Sequence, residues 1–126
     1  MRLLLDSHTV LWWLDEDGPL PLEVRDMIND VSNDVAVSVA TVWELAIKTA
    51  NGRLRTPDHM VELLDAQEVD VLDVSASDAL AAASLPPHHG DPFDRMVIAQ
   101  ARLGDYTVVT ADRRFADYGV AVVSAR

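Results

Sequence analysis

Short apolar runs that alternate with stretches of helical spacing set the tightest limit on what this chain can fold into. The runs are Leu3–Leu5, Val35–Ser38, Val69–Val74, Tyr106–Val109 and Val120–Val123. Between them, the spacing predicts helices over His8–Asp15, Leu22–Asp30, Val39–Ala50, Pro57–Ala66, Ser77–Leu85 and Pro92–Leu103. Gly18-Pro19 ends the first helix, Asn51-Gly52 closes the third, and Pro57 suits a first helical turn. Pro86 to Gly90 reads as a loop. Strands alternating with helices argue for a parallel sheet covered on both faces. In such sheets, functional groups gather beyond the carboxyl ends of the strands.

With 126 residues and neither a repeat nor a low-complexity tract, residues 1–126 read as a single domain. The absence of cysteine excludes a disulfide framework, a thiolate zinc site and a cysteine nucleophile. Neither a secretory leader nor a run of about 20 apolar residues is present, so a cytoplasmic protein without a membrane span is expected. The formal net charge of −11 argues against broad coating of nucleic acid, which needs a basic surface. It leaves room for a nucleic-acid enzyme whose acids hold cations. Lys48 is the one lysine beside nine arginines, which suit planar phosphate recognition. Genome composition explains that bias as well.

Asp6 and Asp112 stand where this fold class places chemistry, and Asp94 and Glu44 are two further candidate acids. Asp6 follows the first strand and Asp112 the fourth, although each also suits a helix cap: Asp6 for the helix near His8, Asp112 for an Arg113–Tyr118 turn. Asp94 lies in a first helical turn, where the dipole favours an acid, after Asp91 as N-cap and Pro92 as first helical residue. It also shares a face with Ile98 and Ala101, which must be largely buried, and a buried carboxylate is costly unless paired or bound to a metal. Glu44 either faces solvent as an i,i+4 partner of Lys48 or joins the others. Taken together, the acids can converge in one cleft. Two carboxylates about 4 Å apart repel by roughly 4 kcal/mol at an effective dielectric near 20. Such a cluster calls for a cation, and hard oxygen ligands select Mg²⁺ or Mn²⁺.

Four stretches carry a family resemblance. They are Leu4-Leu5-Asp6-Ser7-His8, Ser38–Leu45 with Trp43-Glu44-Leu45, Asp91-Pro92-Phe93-Asp94-Arg95 leading into Ile98-Ala99-Gln100-Ala101, and Val109-Thr110-Ala111-Asp112. Together they resemble PIN-domain proteins of the VapC type over nearly the whole chain, the Asp-Pro-Phe-Asp-Arg stretch being the most specific. The resemblance implies a three-layer α/β/α sandwich around a mainly parallel sheet of four to five strands. It further implies a Mg²⁺- or Mn²⁺-dependent endoribonuclease, the toxin of a toxin–antitoxin pair, with a VapB-type antitoxin, an RNA substrate and a homodimer. The family's four acids fall on Asp6, Glu44, Asp94 and Asp112, as catalytic residues and metal ligands, with Ser7 and Thr110 assisting through hydrogen bonds.

Among the remaining residues, Arg95, Arg113 and Arg114 flank the acids and are candidates for RNA phosphate contacts. His88 and His89 read as a solvated loop pair rather than metal ligands, and Trp12, Trp13 and Trp43 as core, with an antitoxin or dimer groove as the alternative for one of them. A phosphoacceptor receiver domain would want paired acids near the first strand and a late lysine, and a haloacid-dehalogenase-like phosphatase an aspartate where His8 stands. A PIN-fold nuclease of RNA maturation, without an antitoxin, and an inactive PIN-fold binding module stay open as alternatives.

Overall fold

The computed structural model describes residues 1–126. Five strands, β1 (Arg2–Leu5), β2 (Asp34–Ser38), β3 (Asp70–Leu72), β4 (Thr107–Thr110) and β5 (Val122–Ser124), form one sheet in the order β3-β2-β1-β4-β5. All four pairings are parallel. Six helices connect them: α1 (Ser7–Leu14), α2 (Leu22–Asn29), α3 (Val39–Ala50), α4 (Met60–Ala66), α5 (Ala76–Ala83) and α6 (Pro92–Gly104). A 3₁₀ helix (Arg113–Tyr118) joins β4 to β5.

The continuous apolar runs follow from this arrangement, because side chains alternate between two covered faces. Leu3 and Leu5 pack with Val10, Trp13, Val37, Leu45 and Val109 on one side. Leu4 packs with Ala36, Val97, Ile98, Val108 and Phe115 on the other. β1 is therefore buried on both faces and on both edges, between Val35–Val37 of β2 and Thr107–Val109 of β4. After β3 the chain crosses back to the opposite side of β1, so a switch in strand order falls between β1 and β4. A crevice is expected beyond their carboxyl ends.

Most predicted elements appear within one or two residues of their expected bounds. Two differences have local causes. α4 begins at Met60 rather than Pro57, because His59 takes a left-handed conformation (φ 59, ψ 43) that no α-helix accommodates. The third strand shrinks to Asp70–Leu72, an edge position paired only with β2.

Candidate active site

Asp6 closes β1 and opens α1. One carboxylate oxygen accepts the Thr9 backbone N–H at 3.0 Å, so the cap expected from sequence is made. The other accepts the Thr110 hydroxyl, which in turn takes the Asp112 N–H at 3.0 Å. Thr110 thus links the ends of β1 and β4. Asp112 caps the 3₁₀ helix through the Arg114 N–H. For both acids the cap and the cleft are the same position, which is why either reading alone was incomplete.

α3 brings Glu44 to the same place. The pair with Lys48 exists at 2.7 Å, but the face is not solvated: Glu44 is 4% exposed. At the start of α6, Asp91 accepts the N–H groups of Phe93 and Asp94 and Pro92 starts the helix, which turns Asp94 inward. Asp6, Glu44, Asp94 and Asp112 then line one cleft of about 390 Å³, with Ser7, His8, Lys48, His89, Gly90, Asp91, Ala111 and Arg114. Five carboxylates face two formal cations there. Ser7 is buried at the wall and makes no side-chain hydrogen bond.

The charges are unevenly compensated. Arg114 donates to Asp112 from Nε and Nη2, at 3.1 and 2.8 Å. That side-chain contact, the Arg114 N–H and the His89 ring outweigh burial and hold the Asp112 carboxyl down at about 2. Asp94 has no such cation. Burial first, then the charges of Asp91, Glu44, Asp6 and Asp112, push its carboxyl up to about 7.

His89 is the residue the sequence reading missed. Rather than a solvated loop residue, it is 3% exposed, with Nε2 2.9 Å from Asp112 Oδ2 and 3.0 Å from Asp94 Oδ2. Its neighbour His88 is exposed and lies edge-on to Tyr118. Nothing in a two-histidine loop distinguishes these fates; they follow from Tyr118 and Phe115, more than 25 positions later.

The candidate phosphate contacts divide. Arg114 stands at the lip of the cleft, and Arg113 is exposed beside it, outside the cleft lining. Arg95 is turned away from the cleft. Its guanidinium donates to the carbonyls of Ala82, Leu85, Pro86 and His89, so its planar fork is occupied in holding the end of α5 and the following loop. Trp13 is core as expected, whereas Trp43 is 64% exposed and packs edge-to-face on Phe93.

The donor set fits a divalent cation. Four carboxylates, one fully buried in α3 and one poorly compensated, offer hard oxygen ligands and excess negative charge. Asp94 and Asp112 approach each other across the His89 ring, with the facing atoms of the three groups within 4.8 Å of one another.

A parallel sheet whose switch point is lined by acids defines an α/β protein with a cation-attracting centre. The chain belongs to the PIN-domain family, whose model matches residues 3–121. It is 31% identical over 115 residues to Ribonuclease VapC22 of Mycobacterium tuberculosis, covering 89% of this chain and 88% of that protein. The fold is similar to that in VapBC2 from Rickettsia felis bound to a promoter DNA fragment, with a TM-score of 0.73, 14% identity and full coverage of both chains. DNA-bound VapBC from Salmonella typhimurium gives a TM-score of 0.73 at 19% identity, covering 100% of this chain and 99% of that one.

Proposed function

We propose that this protein is a divalent-metal-dependent endoribonuclease and the toxin of a toxin–antitoxin pair. The observation that carries the reading is the convergence of Asp6, Glu44, Asp94 and Asp112 in one partly desolvated cleft. The likeness to Ribonuclease VapC22 supports ribonuclease activity, and the VapBC complexes among the structural neighbours support a VapB-type antitoxin.

In this reading the four acids hold Mg²⁺ or Mn²⁺. Such an ion, when bound, would lower the pKa of a water so that hydroxide is available to attack a phosphodiester, and would offset charge on the phosphate. The chain does the rest. Thr110 fixes the Asp6 carboxylate by its hydroxyl and fixes Asp112 by accepting its N–H. Lys48, on Glu44, keeps the α3 wall turned inward. Arg114 is exposed enough to share its guanidinium between Asp112 and an RNA phosphate. The acidic remainder of the surface repels RNA elsewhere, which suits a narrow choice of substrate over general coating.

A homodimer is part of the proposal. Val39, Trp43 and Ile47, spaced four apart on α3, form an apolar stripe exposed at 38%, 64% and 37% beside the cleft. No helix is long and apolar enough to cross a membrane, and a cytoplasmic site of action fits that.

The test is cleavage of a defined pool of structured RNAs in EDTA, Mg²⁺ or Mn²⁺, with Asp6→Asn as control. Asparagine keeps an oxygen for the Thr9 N–H, so the fold survives while a ligand charge is lost. Metal-dependent cutting absent from the variant is expected. Stoichiometric RNA binding without turnover would instead make this a PIN-fold binding module.

A further inference from the structure

We propose that His89 is a positioning residue, a proton-bearing spacer between the Asp94 and Asp112 carboxylates, and not a ligand to the ion. The tautomer decides this. The Asp91 backbone N–H donates to His89 Nδ1 at 3.1 Å, and a backbone N–H can only donate. Nδ1 is therefore the unprotonated nitrogen, and in a neutral ring the proton sits on Nε2. Nε2–H donates to Asp112 Oδ2 at 2.9 Å and stands 3.0 Å from Asp94 Oδ2. A nitrogen that carries a proton has no lone pair to offer a metal.

The ring has little freedom to do otherwise. Its edge meets Phe115, with centroids 5.9 Å apart and planes at 83°. Its backbone is held at both ends: the N–H donates to Tyr118 Oη at 2.8 Å, and the carbonyl accepts from Arg95 at 3.1 Å. Turning Nε2 into a ligand would require a proton on Nδ1, which would then face the Asp91 N–H, donor against donor. Asp91 thus has two tasks. Its side chain caps α6 and so aims Asp94, while its N–H sets the histidine tautomer that keeps Asp94 and Asp112 apart. Outer residues that orient acids in this way affect metal affinity without touching the ion.

This inference rests on the nuclease reading for its purpose, but its test does not depend on cleavage. The first measurement is long-range ¹H–¹⁵N NMR of histidine-labelled wild-type protein, with and without Mg²⁺. The expected pattern is a protonated Nε2 and a bare Nδ1 in both states. The second is calorimetric titration with Mn²⁺. By the cost usual for outer residues, His89→Ala should weaken binding about tenfold or more, and His89→Gln, whose amide N–H₂ replaces Nε2–H, should stay within about threefold of wild type. A bare Nε2 in either NMR state overturns the proposal, as does a His89→Gln loss equal to that of His89→Ala. The NMR arm needs no variant, so poor folding of His89→Ala leaves it decisive. Failure of RNA cleavage with these results intact would count against the nuclease reading alone.

Discussion

Replacing Asp94 by asparagine should stabilise the metal-free protein and at the same time remove its response to divalent ions. Asp94 is raised from 3.8 to about 7 by burial and by four neighbouring acids. The native state thus holds this proton more tightly than the unfolded chain does. Native stability from this residue is complete below pH 4 and is lost as pH rises through about 7. At about 1.4 kcal/mol per pKa unit, ionising Asp94 costs the native fold up to about 4 kcal/mol. The side chain retains 19% exposure, so about 2–4 kcal/mol is expected at pH 8. Asparagine never ionises, and its carbonyl oxygen still faces His89 Nε2–H. Urea unfolding in EDTA at pH 8 should therefore show Asp94→Asn more stable than wild type by that amount, with the gap falling below about 1 kcal/mol at pH 4. Added Mn²⁺ should reverse the order, since an ion held only by the native state stabilises it in proportion to its affinity. Equal stability of the two proteins at pH 8, or a gap that does not change with pH, would refute the claim that this carboxylate is desolvated among like charges.

Three further outcomes follow from the same geometry. Arg95→Ala should destabilise by about 2–4 kcal/mol in urea, because several carbonyls lose a charged donor, and Arg95→Lys should rescue little of it. Undiminished stability would return Arg95 to the list of phosphate contacts. Arg114→Ala should move the Asp112 titration in NMR upward from about 2, since the largest downward influence is removed. Asp112 contributes stability above its unfolded value of 3.8 that is lost as pH falls toward 2, so the variant should unfold at a higher pH on acidification. Trp43→Glu should leave the fold intact and convert a dimer to a monomer in sedimentation; an unchanged mass would remove the α3 stripe as a contact between copies.

The strands and most helices were legible because β1, β2 and β4 are buried on both faces and leave a continuous apolar run. The boundary at α4 was not, because it depends on the backbone of His59 and not on the pattern around it. Asp6, Asp94 and Asp112 were found by their places after strands and at a helix start, and Glu44, in mid-helix, by the family resemblance alone. What neither route showed was the environment. Glu44 and Lys48 pair at helical spacing whether the face is wet or dry, and only the packing of α3 with α6 and α1 makes it dry. Arg95 looked like a cleft residue because it follows Asp94, yet adjacent residues on a helix point about 100° apart, and here toward α5. Trp43 read as core because it sits on a helix beside apolar neighbours, with a contact groove as the alternative, and apolar neighbours on a helix mark an exposed contact surface as well as a core.

The central place of β1 has a consequence for when the molecule becomes whole. Its two partners come from residues 34–38 and 107–110, so the strand made first waits longest for its second neighbour. A growing chain that has reached the loop at 86–90 carries Asp6 and Glu44 but neither Asp94 nor Asp112, and Asp6 still lacks the Thr110 hydroxyl. The four acids are divided two and two across that loop. A chain that stops at that loop therefore holds half of the set, and Asp112 takes its place only when β4 docks against β1 and Thr110 reaches Asp6.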